Sequence, residues 1–278
     1  MTSEIVTSIA ALRERLSLSR QRSRTIGLVP TMGALHAGHL RLIARAREEC
    51  QVVVVSIFVN PIQFNRKEDL AHYPRTLESD LRQCSEAGVD LVFAPTAEEM
   101  YPDGLSTFID VPSLTEHLCG PYRPGHFRGV ATVVMKLLQI VQPERAYFGE
   151  KDAQQLAVIR RMVRDLNVPA VIVPVSTVRE PDGLALSSRN QRLTAEERQI
   201  APMLYRALEI AAQEIRERAG SIEKARESLQ SEPRIKIEYL EIVDPAGMRP
   251  ISAMKLPVLV AIAAWIGEVR LIDNLLVE

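Results

Sequence analysis

Short apolar segments rich in β-branched residues recur through the first 175 residues and alternate with helical patterns. Most are apolar on both faces, which is typical of parallel strands covered by helices on either side. Parallel neighbours need a crossover between them, so the alternation predicts a doubly wound α/β sheet. The five predicted strands are TIGLV at 25–29, VVVVSIFV at 52–59, DLVFA at 90–94, AYFG at 146–149 and PAVIVPV at 169–175. The helical patterns between them lie near 37–49, 76–87, 129–141 and 152–165.

After about residue 177 the alternation stops and a different group of elements begins. A capping-box pattern at Thr194 predicts a helix over 194–217, and a shorter helix is predicted over 221–230. Three strand-like segments follow, IKIEYLEIV, PVLVAIAAWI and VRLIDNLLV, and they are close enough in sequence to pair antiparallel. The predicted division is therefore an α/β domain over 1–177 and a smaller α+β C-terminal domain over 178–278.

Composition and charge argue against several classes of protein. The chain has 34 Lys and Arg against 35 Asp and Glu, a net charge of −1, and so lacks the basic excess typical of nucleic-acid-binding proteins. Its three cysteines are widely spaced without a CxxC pair, which argues against a disulfide framework or a zinc site and for a reducing compartment. The first 16 residues read as an amphipathic helix rather than a signal peptide, and the longest apolar stretch is about half a membrane span. We therefore expect a cytoplasmic protein with no nucleic-acid partner and no membrane contact.

The most informative motif is VPTMGALHAGHL at 29–40, where a strand passes through a small-residue turn into a helix. His36 and His39 are three residues apart with Gly38 between them, which puts both imidazoles on one side of the first helical turn. A helix start presents backbone N–H groups and the positive end of the helix dipole, and such a place binds phosphate. Two imidazoles there can donate to an anion that gains charge during reaction, as nucleotidyl transfer requires. An HxxH pair could also be half of a metal site, but no matching Cys or His pair completes one in the sequence.

Two further motifs follow the second strand. FVNPIQF at 58–64 carries the amides of Asn60 and Gln63 on a proline turn, and an amide can hold a hydroxyl and a carboxylate oxygen at once. HYPRT at 72–76 offers Tyr73 before a helix that carries Asp80. Simple turn chemistry explains the first motif equally well, and a solvated loop with a helix start explains the second, so both interpretations stay open.

Later motifs also lie at helix starts. RPGHFRGV places Arg123 and His126 before an apolar helix, which suits phosphate or carboxylate binding. FGEKDAQQL follows a strand, and its Lys151 is a point cation for phosphate oxygens. Asp152 could cap the helix, help to hold Mg²⁺, or do both, and Gln155 comes one turn later.

The segment DGLALSSRN at 182–190 joins the two predicted domains. Two hydroxyls, on Ser187 and Ser188, stand beside the guanidinium of Arg189. On a segment able to move, these groups can close over a triphosphate. A plain polar linker is the alternative interpretation.

Taken together, these motifs resemble the pantothenate synthetases, or pantoate–β-alanine ligases. The strings PTMGALHAGH, FVNPIQF, YPRT, RPGHFRGV, FGEKD and LSSRN occur in the order and at the spacing of that family, over residues 30–190. The HAGH and SSR elements are also similar to those of the wider HxGH nucleotidylyl transferases, which include class I aminoacyl-tRNA synthetases. The resemblance implies a Rossmann-like N-terminal domain, a mobile C-terminal lid and a homodimer.

The resemblance also implies a two-step ligation. Pantoate and Mg-ATP would give pantoyl adenylate and pyrophosphate, and β-alanine would then displace AMP to give pantothenate. His39 would be the proton donor and His36 would bind phosphate, with Lys151 and Arg189 as further catalytic cations. The residues that the resemblance assigns to ATP are Met32, Gly33, Ala34, Leu35, His36, Ala37, Gly38, His39, Gly149, Glu150, Lys151, Asp152, Val178, Leu186, Ser187, Ser188 and Arg189.

For the two organic substrates, the resemblance points to side chains from four motifs. Gln63 and Gln155 would hold pantoate, and Gln63 would also contact β-alanine. The full set expected around pantoate and β-alanine is Gln63, Gln155, Asn60, Tyr73, Arg123 and His126. Mg²⁺ would be held by Asp152 or Asp80.

Three alternatives remain at this point. The chain could adenylate a different small acid, because two glutamines fit several hydroxy acids. It could be a synthetase-like protein that acts on tRNA, although the charge balance disfavours this and no anticodon-binding region is apparent. It could also bind nucleotides without catalysis, although the intact motifs disfavour that.

Overall fold

A computed structural model describes residues 3–217 and 221–278 of the chain. Its strands are β1 (Glu4–Val6), β2 (Ile26–Thr31), β3 (Val52–Ile57), β4 (Leu91–Phe93), β5 (Arg145–Gly149), β6 (Val171–Val175), β7 (Ile235–Val243), β8 (Val258–Ile266) and β9 (Val269–Val277). Its α-helices are α1 (Ile9–Gln21), α2 (Ala37–Glu49), α3 (Lys67–Ala71), α4 (Leu77–Glu86), α5 (Ala97–Met100), α6 (Cys119–Tyr122), α7 (His126–Val141), α8 (Ala153–Asp165), α9 (Ala195–Ile200), α10 (Met203–Arg216) and α11 (Glu223–Gln230). Short 3-10 helices cover Pro61–Gln63, Pro112–Leu114, Glu150–Asp152 and Ser188–Arg192.

The described residues form two compact units that interleave along the sequence. The first unit takes residues from Met1–Val111, Arg123–Glu150 and Val158–Ser176, and the second takes them from Pro112–Tyr122, Lys151–Ala157 and Thr177–Glu278. Most of the second unit therefore comes after residue 177, but two earlier segments pack with it. The division into folding domains at 1–177 and 178–278 stays a prediction, and residues 1–2 and 218–220 of those ranges lie outside the described residues.

The first unit is built on a parallel sheet with the strand order β1-β4-β3-β2-β5-β6. Every neighbouring pair in it is parallel. The predicted doubly wound α/β sheet is thereby confirmed, and each of the five predicted strands is present with ends that differ by a few residues.

Both faces of this sheet are covered. Val29, Val55 and Val173 pack with Leu42 and Ile43 of α2 in one buried cluster. Successive strand residues point to opposite faces, and α7 contacts β2 and α1. Thirteen of the sixteen residues of α7 are buried, so this helix is a core element, as its apolar sequence suggests.

The strand order places a switch point between β2 and β5, because the chain winds outward in opposite directions from this pair. Ligands in open α/β sheets bind beyond the carboxyl ends of the strands at such a point. The turn that contains the two histidines follows β2, and Gly149 ends β5. The fold therefore predicts a ligand-binding site at the carboxyl ends of β2 and β5.

The second unit contains an antiparallel sheet with the order β7-β8-β9, as the sequence predicts for its last three segments. Leu204 and Leu208 of α10 and Leu229 of α11 pack with Val260 and Ile262 of β8 in one buried cluster. Helices therefore cover one face of this small sheet, as expected for an α+β unit.

The start of the chain differs from the sequence-based prediction. The amphipathic pattern predicts a helix over the first 16 residues, of which residues 1 and 2 lie outside the description. The structure instead has strand β1, which pairs with β4 in the register Glu4 to Leu91. Helix α1 begins only after Ser8, whose side chain accepts the backbone N–H of Ala11. An apolar run this short fits strand and helix alike, and the available edge of β4 decides between them.

The helix predicted over 194–217 is also interrupted. It begins as predicted, since Thr194 and Glu197 form a reciprocal capping box. However, α9 ends at Ile200 and α10 starts at Met203, with Pro202 between them. Proline has no N–H to donate and its ring crowds the preceding turn, which accounts for the break.

All three cysteines are free thiols and are buried, and burial raises the pKa of Cys84 to about 12 and also raises the pKa of Cys50. At pH 8 only about one Cys84 thiol in ten thousand would be ionised. We expect Ellman's reagent to react slowly with the native protein at pH 8 and to titrate three thiols in guanidinium chloride. Rapid, stoichiometric labelling of the native protein would contradict this burial.

Candidate active site

The turn after β2 is shaped by two consecutive residues with left-handed backbone. Gly33 has φ of 80° and Ala34 has φ of 51°, and the second value is unusual for a residue with a side chain. The Thr31 hydroxyl accepts the N–H of Gly33 at 3.1 Å and donates to the carbonyl of Ser56 at 2.7 Å. The turn is therefore tied to the end of β3.

A buried carboxylate also accepts hydrogen bonds from the backbone of this turn. Asp80 of α4 is 1% exposed, and its two oxygens accept the N–H groups of Ala34 at 3.0 Å and Leu35 at 2.8 Å. The Thr76 hydroxyl donates to the same carboxylate at 3.2 Å. Hydrogen bonds to a carboxylate are stronger than neutral ones, so Asp80 can hold Ala34 in its strained conformation.

The two histidines form a reciprocal cap at the start of α2. The His36 Nδ1 accepts the N–H of Gly38 at 3.1 Å, and the His39 Nδ1 accepts the N–H of His36 at 3.3 Å. A neutral imidazole has one accepting and one donating nitrogen. Because both Nδ1 atoms accept, the neutral rings carry their protons on Nε2, and their centroids are 4.1 Å apart. The sequence prediction that both rings share one helical turn is confirmed.

Gly38 is needed because the His36 ring folds back over it. A Cβ at this position would lie 2.8 Å from the His36 Cε1 and 2.9 Å from its Nδ1. Any side chain would push the ring away from the N–H that orients it. The glycine between the histidines is thus part of the geometry of the pair.

Gln63 is held close to the segment Met32–His39 that follows β2, which we call the histidine turn. It is buried in the 3-10 helix Pro61–Gln63, and its Nε2 lies 3.1 Å from the sulfur of Met32. Its Oε1 accepts from the Nδ2 of Asn60 at 2.9 Å. Asn60, which the sequence places with the organic substrates, has its amide occupied by protein partners, and its contact with a substrate stays a prediction.

The start of α7 supports the backbone of Gln63. His126 is buried, and its Nδ1 lies 2.9 Å from the Gln63 carbonyl, so Nδ1 carries the proton. Arg123 donates to the His126 Nε2 at 3.1 Å. A Cβ on Gly129 would lie 2.5 Å from the Ile62 carbonyl oxygen, so only glycine permits this approach. His126 therefore supports the Gln63 backbone directly, and Arg123 supports it through His126. Their contact with a substrate stays a prediction.

Tyr73, Gly149 and Glu150 complete the predicted residues of the first unit. Tyr73 is buried, with its ring edge-on to Phe64 at 5.6 Å. Apart from Gly149 itself and its two chain neighbours, no atom of the described residues lies within 4 Å of where a Gly149 Cβ would be, so close packing does not explain this glycine. Glu150 follows Gly149 at the end of β5 and opens the 3-10 helix Glu150–Asp152.

Lys151 and its neighbours belong to the second unit. The Lys151 carbonyl accepts from the Asn274 Nδ2 of β9 at 2.8 Å, and Lys151, Asp152 and Gln155 are each half-buried. The neighbouring Gln154 is buried and accepts the N–H of Cys119 at 3.0 Å. This segment is therefore anchored by its backbone and by Gln154, while Gln155 stays a candidate for binding.

The residues from Val178 to Arg189 form a short hairpin and a 3-10 helix in the second unit. The N–H of Leu186 donates to the Val178 carbonyl at 3.0 Å, which brings together two residues that the family resemblance assigns to one nucleotide site. The Ser187 hydroxyl accepts the N–H of Arg189 at 3.2 Å and caps the 3-10 helix that starts at Ser188.

This hairpin is anchored to β9 by an ion pair between half-buried Arg179 and buried Asp273. Arg179 donates to both carboxylate oxygens of Asp273, at 2.6 and 3.0 Å, and its guanidinium lies 3.9 Å from the centroid of the Tyr205 ring. Bidentate pairs of this kind fix orientation as well as supplying energy.

Sequence reasoning missed several supporting residues. Tyr101, Gly129, Asp273 and Asn274 each contact a candidate residue or its neighbour, and all but Gly129 lie outside the predicted motifs. Gly129 falls inside RPGHFRGV, and a glycine inside an apolar helical run is a usable signal of close backbone approach. The other three are far in sequence from the residues they hold.

The described residues offer no preformed metal cluster and no membrane span. In the ranges 3–217 and 221–278, no group of three or more His, Cys, Asp and Glu side chains is placed to hold a metal ion. Among those same residues, no helix is both long and apolar enough to cross a membrane.

Comparisons with known proteins agree with one another. A family model described as pantoate-beta-alanine ligase matches residues 4–276. A pantothenate synthetase of Moorella thermoacetica is 53% identical over 99% of both chains. The crystal structure of a pantothenate synthetase from Thermus thermophilus matches with a TM-score of 0.93 at 50% identity, over 98% of each chain. A pantoate-beta-alanine ligase from Francisella tularensis, complexed with beta-gamma ATP and beta-alanine, matches with a TM-score of 0.85 at 38% identity, over 99% of this chain and 97% of that one.

The Asp80 contacts predict a specific effect of removing its charge. In Asp80→Asn, an amide N–H₂ would face at least one backbone N–H that needs an acceptor. We expect the free energy of unfolding to fall by about 1–3 kcal/mol and amide exchange at Ala34 and Leu35 to accelerate. Urea unfolding and hydrogen exchange measure the two effects.

Glu78→Gln is the matched control, because Glu78 lies on the same helix and is exposed. If Asp80→Asn unfolds at the same urea concentration as this control, Asp80 does not hold the turn.

Proposed function

Since this chain belongs to the pantoate–β-alanine ligase family, we propose that it joins pantoate to β-alanine through a pantoyl adenylate, with release of pyrophosphate and AMP. The observation that carries the proposal is the histidine turn after β2. It presents two imidazoles, oriented by their own backbone, at the switch point of a parallel sheet. The ATP and β-alanine in the similar Francisella tularensis structure support the choice of substrates.

The reaction needs activation because a carboxylate is a poor electrophile. In the first step, a pantoate carboxylate oxygen attacks the α-phosphorus of ATP, and the bond to pyrophosphate breaks. In the second step, the β-alanine nitrogen attacks the acyl carbon and AMP leaves with the former carboxylate oxygen, while the amine loses a proton. Neither step requires a protein nucleophile, so the protein contributes positioning and neutralisation of charge.

His36 and His39 are suited to the phosphate chain. With each Nδ1 accepting a backbone N–H, the Nε2–H of each ring is the donor that would face a ligand. Donors aimed at oxygens that gain charge lower the barrier without rearrangement. We assign His39 as proton donor to the departing pyrophosphate and His36 as phosphate ligand. The Met32–His39 segment would contact the nucleotide through its backbone.

Lys151 and Arg189 would supply the permanent positive charge. The backbone of each residue is held in place. The Lys151 carbonyl accepts from the Asn274 side chain, and the Arg189 N–H donates to the Ser187 hydroxyl. Phosphate oxygens favour such cations. In this proposal Gly149, Glu150, Val178, Leu186 and Ser188 line the nucleotide.

Gln63 and Gln155 would bind pantoate, with Gln63 also touching β-alanine. The burial of Gln63 and its contact with Met32 support the first assignment. Asn60, Arg123 and His126 contact Gln63 or one another, so they can act by holding Gln63 whether or not they touch substrate. Tyr73 would help to enclose the acid.

Magnesium, where present, would neutralise phosphate oxygens. It binds proteins through one or two carboxylates plus substrate phosphates, so the lack of a three-carboxylate cluster among the described residues is compatible with it. Asp152 fits better than Asp80, because both Asp80 oxygens already accept backbone N–H groups.

We also propose a homodimer, on the resemblance of the motifs alone, and a location in the cytoplasm, on the three widely spaced cysteines without a CxxC pair. Sedimentation equilibrium tests the assembly, and a single species of monomer mass at micromolar concentration would contradict it.

Oxygen labelling tests the adenylate directly. With pantoate labelled by ¹⁸O in its carboxylate, we expect one ¹⁸O in each AMP formed, because that oxygen becomes the bridge to phosphorus. Mass spectrometry of AMP measures it. Unlabelled AMP, or ADP and phosphate as products, would rule out this route. Replacing pantoate by other short hydroxy acids in the same assay tests the alternative acids.

His39 should separate catalysis from capping. His39→Asn keeps an oxygen that can accept the His36 N–H but removes the Nε2 donor. We expect kcat to fall by about two to four decades, the range for a donor to a developing anion, with little loss of stability. Steady-state kinetics and urea unfolding give the two values, and His72→Ala, an exposed histidine, is the control. Near-normal kcat in His39→Asn would remove His39 from the mechanism.

A further inference from the structure

Half-buried Tyr101 makes a hydrogen bond to a buried side chain that the proposed mechanism does not use. Its hydroxyl donates to the Asn60 Oδ1 at 2.7 Å. Asn60 is only 1% exposed, so its amide depends on protein groups for hydrogen bonds. The Asn60 side chain has one acceptor atom, Oδ1, and the Tyr101 hydroxyl is its donor.

The orientation of the Asn60 amide follows from its other partners. The Asn60 Nδ2 donates to the Gly129 carbonyl at 3.2 Å. A carbonyl accepts and cannot donate, so the nitrogen end of Asn60 must face Gly129 and the oxygen end must face Tyr101. The remaining N–H of Asn60 is then directed at Gln63.

This orientation is passed on to Gln63. Because Asn60 offers an N–H, Gln63 presents its oxygen to Asn60, at 2.9 Å. The Gln63 N–H₂ group then faces the histidine turn, where Nε2 lies 3.1 Å from the Met32 sulfur. These hydrogen bonds thus fix the orientation of the Gln63 amide, so that its Nε2, a donor, faces away from Asn60.

Tyr101 is suited to remain the donor at its end of the chain. Burial raises the pKa of its hydroxyl above the usual value, so the proton stays on oxygen at physiological pH. Its ring is held by Phe58 at 6.0 Å and by the Lys136 ammonium at 5.6 Å from the ring centroid.

We infer that Tyr101 is a positioning residue for the acid substrate: through Asn60 it holds Gln63 with its N–H₂ group turned towards the oxygens of the acid. Donors favour a carboxylate or hydroxyl oxygen over an ammonium group. The identity of the acid rests on the proposed function, whereas the orientation of the two amides does not.

The kinetic test is Tyr101→Phe, which keeps the ring and removes one hydroxyl. We expect KM for pantoate to rise about tenfold, the effect of a loosened buried hydrogen bond, while KM for ATP stays unchanged. Tyr122→Phe is the control, because it removes a phenol hydrogen bond to the Glu238 carbonyl at 2.8 Å. Equal changes for both substrates would indicate general destabilisation and overturn the inference.

A double-mutant cycle tests whether Tyr101 acts through Asn60. Adding Tyr101→Phe to Asn60→Ala should leave KM for pantoate as it is in the single Asn60 variant. Residues in one network give such non-additive effects. Additive effects would show that Tyr101 acts independently and would overturn the relay.

A readout without substrate separates this inference from the proposed function. In ¹⁵N spectra, with resonances assigned from Asn60→Ala and Gln63→Ala, we expect the Asn60 side-chain N–H₂ of the unmodified protein to exchange slowly with solvent. In Tyr101→Phe that exchange should be about tenfold faster, since a lost partner loosens the amide. If pantoate proves not to be the acid, these spectra still decide the relay. Exchange unchanged from the Tyr122→Phe control would overturn it.

Discussion

The turn between β2 and α2 depends on one buried carboxylate. Asp80 accepts two successive backbone N–H groups from a turn whose left-handed residues would otherwise be unfavourable. That turn sets where α2 begins, and the start of α2 sets the direction of both imidazoles. A helix that comes later in the chain therefore determines how the histidines are presented. The sheet determines where the turn lies, and Asp80 stabilises its backbone conformation.

Around this turn, side chains that look like ligands in the sequence are engaged in holding other side chains. Asn60 and His126 contact Gln63 by its amide and by its carbonyl, and Arg123 contacts His126. Gly129 allows the helix behind them to come close. A binding group held at several points loses little freedom when a ligand arrives. The motif residues thus divide into a few that can face a ligand and more that fix those few in place.

Local patterns were enough for much of the fold. The predicted α2 and the observed helix share the bounds 37–49, because the histidine cap and the apolar period agree. The parallel strands were predictable from apolar runs, and the antiparallel pairing from short connections. The strand at Glu4–Val6 and the break at Pro202 were not, since the first depends on a free edge at β4 and the second on one residue in a helical pattern. The site partners were hidden for a related reason, because Tyr101 lies 41 positions from Asn60.

The contacts of β9 have a consequence for how the second unit is made. Asn274 holds the backbone at Lys151, 123 positions earlier, and Asp273 pairs with Arg179, 94 positions earlier. Contacts between segments so distant form slowly, because closing a long loop costs conformational entropy. A ribosome must therefore have released β9 before either segment acquires its support. During synthesis the sheet of the first unit can assemble while the segment at Lys151 still lacks its contact with Asn274.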